Sequence, residues 1–145
     1  MNIAFFLTPK NQVAYLYDDC TLRQSLEKMR YHGYTAIPVI DRKGCYVGAL
    51  SEGDLLWQLV SRDEEGQTRL IEDIRSTETI CLHDVLRRDR TPPARITASV
   101  EELLHKSLDQ NFIPVIDDSG VFIGIVTRRN IIRYFWERNL SVNPE

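Results

Sequence analysis

Ile37-Pro38-Val39-Ile40-Asp41 leads through Gly44 to Gly48, and Ile113-Pro114-Val115-Ile116-Asp117 leads through Gly120 to Gly124, a constant offset of 76 residues. Each stretch is a β-branched run followed by Asp and Gly at turn spacing, which reads as strand, hairpin turn, strand. A repeated unit implies a repeated cleft. Ser51-Glu52-Gly53-Asp54 follows the first copy and Thr127-Arg128-Arg129-Asn130 follows the second. The copies differ in charge at those clusters, so function is to be sought there.

Upstream of the first copy, Val13 to Tyr17 reads as a short strand, and Thr21 with Gln24 three residues on is a capping-box signature. Leu22, Leu26 and Met29 recur at helical spacing, predicting a helix over 22–32 that ends near Gly33. Tyr34 to Ile40 and Tyr46 to Leu50 read as paired strands, and Asp54 to Val60 starts a second helix. In the second copy Ser99 is the expected N-cap with Glu102 at the third helical position, and Val100, Leu103, Leu104 and Leu108 form the apolar face. Strands follow at 111–116 and 121–126, then a closing helix over 131–136. The helix-to-strand alignment drifts by two residues, since Leu26 matches Leu104 at an offset of 78 while Pro38 matches Pro114 at 76.

Between the copies, residues 61–66 read as a polar linker. Residues 70–74 and 80–86 read as helical, Pro92-Pro93 ends that helix, and a short strand is predicted at 94–96. The apolar start, Ile3 to Leu7, is expected to pack on a neighbouring surface.

A chain of 145 residues fits one compact module that buries roughly 70% of its unfolded-chain surface. With 43% hydrophobic and 27% charged residues it has ordinary globular composition, and a net charge of -3 argues against coating nucleic acid. Three cysteines without CxxC spacing, and no apolar run near eighteen residues, point to a reducing, cytoplasmic setting with no membrane contact. His32, His83 and His105 lack metal spacing, Cys45 has no evident base beside it, and there is neither GxGxxG nor GK[ST]. No metal, no cofactor and no catalytic residue is expected. Glu52 and Asp54, the carboxylates of the clusters, lack a partner group for an obvious reaction.

The order strand, helix, hxhPhhD, Gly-x-h-h-Gly-h-h, then Ser/Thr-x-x-Asp/Asn opening a helix, found twice, resembles the tandem CBS-domain pair, the Bateman module, over roughly residues 8 to 138. The resemblance implies an α/β (α+β) fold of two motifs, each a three-stranded sheet with two helices, packed as a pseudo-twofold pair. The expected division is motif 1 over 8–66, a connecting segment over 67–90 and motif 2 over 91–138. It implies a stand-alone regulatory module, often a disc-like homodimer, that binds an adenine nucleotide between its motifs and signals to a partner protein.

Val13-Ala14, Tyr34-Thr35-Ala36-Ile37 and Thr127-Arg128-Arg129 look, more narrowly, like small cyclic di-AMP-binding CBS proteins of Gram-positive bacteria. In those proteins the Tyr-Thr-Ala stretch holds adenine and the arginines hold phosphate. The lysine that they place before the Val-Ala pair is Gln12 here, with Lys10 close by.

In the first expected groove, Thr35 reads an adenine edge while Tyr34, Ala36 and Ile37 offer an apolar slot, with Ala14 alongside. Arg128 and Arg129 at a helix start oppose the helix dipole unless an anion is bound, which argues for a phosphate site. Thr127 would fix a phosphate or ribose oxygen, and Asn130 stands where many family members have the ribose-binding Asp. In the second groove Ser51 and Asp54 keep the ribose-gripping pair, and Asn111, Phe112 and Ile113 cradle a base. Glu52 there repels phosphate unless Arg95 or Arg90 compensates. Trp57 and Trp136 are expected to bury against helices or a dimer partner. The alternatives are a structural dimerisation or adaptor module with vestigial grooves and, more distantly, a nucleotide hydrolase.

Overall fold

The computed structural model describes residues 2–62, 68–70, 78–86 and 90–142, except the side chains of 58–62, 68–70 and 139–142. Contacts divide the chain into two compact units, Ala14–Arg90 and Met1–Val13 with Thr91–Glu145.

The unit Ala14–Arg90 holds β2 (Leu16–Tyr17), α1 (Leu22–His32), β3 (Ala36–Ile40), β4 (Tyr46–Ser51), α2 (Glu52–Leu59), β5 (Val60–Arg62), β6 (Thr68–Leu70) and α3 (Leu82–Val85). The other unit holds β1 (Leu7–Pro9), β7 (Ala94–Arg95), α4 (Val100–Ser107), β8 (Phe112–Ile116), β9 (Phe122–Thr127) and α5 (Arg128–Val142), with 3-10 turns at Ile3–Phe6 and Lys10–Gln12.

In the first unit β2 pairs parallel with β3, and β3 pairs antiparallel with β4. A parallel pair needs a crossover, and α1 supplies it. Thr21 and Gln24 make the predicted capping box. Gly33 at φ 68 closes the helix, with the Tyr34 and Gly33 amides donating to Met29 and Arg30 carbonyls in a Schellman pattern. Pro38 is tolerated in the central strand because β2 pairs only with Val39 and Ile40, one residue beyond it. The Asp41 carboxylate accepts the Lys43 and Cys45 amides at 2.9 and 3.0 Å and so pins the hairpin turn.

The second unit repeats this arrangement. β7 pairs parallel with β8, β8 antiparallel with β9, and the Asp117 carboxylate accepts the Ser119 and Val121 amides at 2.8 and 2.9 Å. Both hairpins shift register at the same place, between Val39 and Ile40 and between Val115 and Ile116. The drift seen in the sequence is real: β3 starts 14 residues after the start of α1, and β8 starts 12 after that of α4. The shorter α4 ends without a left-handed glycine, at Leu108.

Each unit has its own core. Leu16, Leu22, Met29, Ile37, Val39, Leu50, Leu55 and Leu82 cluster in one, and Ile3, Phe6, Ala94, Leu103, Ile113, Val115, Val126 and Ile131 in the other. Hydrophobic burial of a side chain of this kind contributes about 1.5–3 kcal/mol.

The segment ends differ from expectation. The first residues pack as anticipated, but on the second copy's unit: β1 pairs antiparallel with β9, Leu7 opposite Val126, making a four-stranded sheet there. Residues 78–86 belong with the first copy, where Leu82 is fully buried and the Leu22 amide donates to Ile80. Part of the expected linker is a strand, since Val60–Arg62 pairs with Thr68–Leu70. The helix expected over 70–74 begins on that strand at Leu70, and the rest of it lies outside the described residues. α2 starts two residues earlier than predicted, and α5 (Arg128–Val142) starts three residues before the expected helix and ends six residues after Trp136.

Candidate functional site

Both clusters sit where an antiparallel strand runs directly into a helix. Ser51 ends β4 and caps α2: its Oγ accepts the Asp54 amide at 3.2 Å, while its amide and hydroxyl both donate to Asp54 Oδ2, at 3.0 and 2.9 Å. Thr127 ends β9 and caps α5, its Oγ1 accepting the Asn130 amide at 3.1 Å. The strand-to-helix turns are tied back in the same way, Glu52 N–H donating to Thr35 and Arg128 N–H to Asn111, each at 3.0 Å. Ser/Thr-x-x-Asp/Asn is thus a helix cap in both copies, which accounts for its spacing before any ligand is considered.

Arg128 and Arg129, adjacent in sequence, have different surroundings. Arg128 Nε donates to the Ser107 carbonyl at 2.9 Å, satisfying the end of α4, and its side chain lines an apolar groove between α4 and α5. Arg129 is exposed and has no side-chain hydrogen bond or ion pair among the described residues. The expected arginine pair is therefore one engaged side chain and one available side chain. Asn130 Nδ2 donates to Thr8 Oγ1 at 3.3 Å, so β1 reaches the same turn. The sequence carried no signal for Thr8, because its neighbour is 122 residues away.

The base-side residues also divide. Thr35 is exposed and its carbonyl is engaged by Glu52, while Ala36 faces Ser51 across β3 and β4. Ile37 and Ile113 are fully buried in their cores, so a ligand at either position meets main chain rather than an apolar side-chain slot. Tyr34 lines a groove with Leu26, Met29, Arg30 and Leu55 on the helical side, its ring 5.3 Å from that of His32. Ala14 packs against the first core. Asn111 is exposed and Phe112 half-buried opposite Thr127, and Arg95 is exposed at the end of β7.

Asp54 is only 6% exposed, and its Oδ1 has no hydrogen-bond partner among the described residues. Arg90 Nη1 stands 3.7 Å from it.

The α4–α5 groove has a volume of about 550 Å³ and is lined by Leu104, Leu108, Ile132, Phe135 and Trp136 beside Arg128. Leu108, Ile132 and Trp136 are 74%, 61% and 66% exposed. Leu104 and Leu108 were expected on the buried face; only Leu103 of that set is fully buried. Trp57 is exposed as well. Among the described residues no helix is long and apolar enough to cross a membrane, and no three His, Cys, Asp or Glu are grouped to hold a metal ion.

A CBS domain family model matches residues 7–61 and 82–137. Among curated proteins, the chloroplastic CBS domain-containing protein CBSX2 of Arabidopsis thaliana is 28% identical over 144 residues, covering 88% of this chain and 60% of that protein. An uncharacterized protein of Methanopyrus kandleri is 26% identical over 106 residues, covering 73% of this chain and 49% of that protein. The chain thus spans between about half and three fifths of the length of these relatives. Among solved structures, CbpB of Listeria monocytogenes in complex with c-di-AMP matches with a TM-score of 0.81 at 23% identity, over 97% of this chain and 98% of that one. CBSX2 in complex with AMP matches with a TM-score of 0.72, also at 23% identity, over 95% and 98%. Sequence motif and compact unit are offset: the lead-in of each matched motif, residues 7–13 and 82–90, lies in the unit built by the other.

Proposed function

Since the chain belongs to the CBS domain family and carries the motif twice, we propose that it is an adenine-nucleotide-sensing regulatory module that signals to a partner protein and catalyses no reaction. The observation that carries the reading is the free guanidinium of Arg129 at the start of α5, beside a Thr127 cap and unpaired among the described residues. The Arg128 and Asn130 N–H groups are taken by Asn111 and Thr127, but the Arg129 N–H, the helix dipole and the Arg129 guanidinium together favour phosphate.

In this reading Ala14, Tyr34, Thr35 and Ala36, with the main chain at Ile37, take the adenine, and Thr127, Arg129 and Asn130 take ribose and phosphate. Arg128 supports the turn by holding Ser107. Ser51, Asp54, Arg95, Asn111 and Phe112, with the main chain at Ile113, form the second and less phosphate-favouring set. The ligand class is cyclic di-AMP or AMP, ADP or ATP. No further cofactor, nucleic acid or membrane is involved, and the setting is cytoplasmic. CbpB and CBSX2, whose structures contain c-di-AMP and AMP, support the class. The exposed Leu108, Ile132 and Trp136 support a homodimer built on α4 and α5.

A thermal-shift panel tests the class: adenine nucleotides raise the melting midpoint with saturable dependence, and guanine nucleotides do not. Equal responses to both, or none to either, would favour an adaptor module without a nucleotide ligand.

A further inference from the structure

The carboxylate of Asp54 carries one oxygen that the α2 cap does not use. Oδ2 accepts both Ser51 donors, while Oδ1 is sealed from solvent and has no hydrogen bond among the described residues. A buried acceptor without a donor is left with uncompensated desolvation, so this atom is poised to receive one.

Arg90, the last residue of the first unit, stands at that oxygen. Its Nη1 is 3.7 Å away, within ion-pair range but beyond a hydrogen bond, and its side chain is 54% exposed. Ser51 and the first turn of α2 are held by reciprocal hydrogen bonds, but among the described residues Arg90 is held by this ion pair alone. At 3.7 Å the pair lacks a hydrogen bond, and although the carboxylate is buried the guanidinium is half exposed, so the long side chain has solvent to move into. Glu52, exposed one turn position away, adds a second negative charge, and Gly53 adds no side chain that could cover the carboxylate.

We infer that Arg90 is a displaceable latch on Asp54: it neutralises the buried carboxylate in the empty chain, and a ligand hydroxyl bonds Oδ1 only after the guanidinium has moved out. The inference rests on the nucleotide reading above and adds the residue that a hydroxylated ligand must displace in the first copy. A latch differs from a ligand contact in sign. Removing a latch tightens a neutral hydroxylated ligand, whereas removing a contact weakens it.

The test is titration of the full chain, as wild type and as Arg90→Ala, with adenosine and with 2′,3′-dideoxyadenosine. Thermal midpoints of Arg90→Ala, Asp54→Asn and the double variant complete it. The latch predicts adenosine binding tightened by up to about five-fold in Arg90→Ala, dideoxyadenosine binding unaltered, and midpoint changes that do not add. Adenosine binding weakened or unchanged by Arg90→Ala overturns the latch, and so do additive midpoints. If neither protein binds adenosine although the midpoints are non-additive, the displacement step falls and the ion pair stands as purely structural, whereas the nucleotide reading, which rests on phosphate at Arg129, falls only if AMP and ATP also fail to bind.

Discussion

The carbonyl oxygen of Thr8 occupies the space that a side chain on Gly124 would need, with Leu7 Cδ1 and the Pro9 Cα close behind. Because β1 pairs with β9 through Pro9 opposite Gly124, the missing side chain is what lets the first strand close on the second copy's sheet. Gly124→Ala is therefore expected to lift β1 from β9 and to destabilise the fold by about 1–3 kcal/mol. Chemical denaturation reads the loss, and hydrogen exchange places it: faster exchange at residues 3–9 is expected, with the hairpin of β3 and β4 unaffected.

Arg128 and Arg129 should separate stability from binding. Arg128→Ala removes the bond to Ser107 and is expected to cost about 0.5–1.5 kcal/mol of stability with little change in nucleotide affinity. Arg129→Ala is expected to leave the melting midpoint in place and to weaken nucleotide binding by roughly ten- to a hundred-fold. Equal affinity losses in the two variants would show that both arginines reach phosphate.

Ser51 is the hinge of the first cap, giving two donors to Asp54 and accepting its amide. Ser51→Ala removes the hydroxyl from this reciprocal cap and is expected to cost about 0.5–2 kcal/mol, while Ser51→Thr restores most of it. Urea denaturation of the three proteins measures this directly.

The Arg42 guanidinium holds the Asp19 carboxyl below the ordinary aspartate range through a paired hydrogen bond of 2.7 and 3.0 Å, and it also lies 4.0 Å over the Tyr17 ring. A carboxyl whose folded pKa lies below its unfolded value stabilises fully above the unfolded pKa, near 4, and loses that contribution as pH falls through the folded value. Arg42→Ala should thus be slightly less stable than wild type at pH 7, and the difference attributable to this pair should vanish at the acid end of a denaturation series. Both charges are solvent-exposed, so added salt should shrink the difference as well. A gap that persists unaltered into acid would assign the effect to the stacking on Tyr17.

The strand-turn-strand core and both helix caps were legible in the sequence because their determinants are local. Asp41 and Gly44, Thr21 and Gln24, and Ser99 and Glu102 each act within four residues. The lead-in segments were not, because β1 and residues 78–86 take their partners from far along the chain, as Leu7 does with Val126 and Cys20 with Leu82. Apolar spacing placed Leu104 and Leu108 with Leu103, but Leu104 sits one position round the helix from Leu103 and Leu108 is the C-cap, and both line the α4–α5 groove instead of the core. At the candidate site, the residue types were readable and their engagement was not. Nothing local distinguishes Arg128, bound to Ser107, from Arg129, or reveals that Arg90 reaches Asp54 from 36 residues away.

The most direct test of the central claim is a calorimetric titration of the protein and its Arg129→Ala variant with cyclic di-AMP, AMP, ADP and ATP. The account predicts micromolar or tighter binding of at least one of them, saturating at a defined stoichiometry and greatly weakened in the variant. The absence of binding heat from all four, together with unchanged melting midpoints, would contradict it.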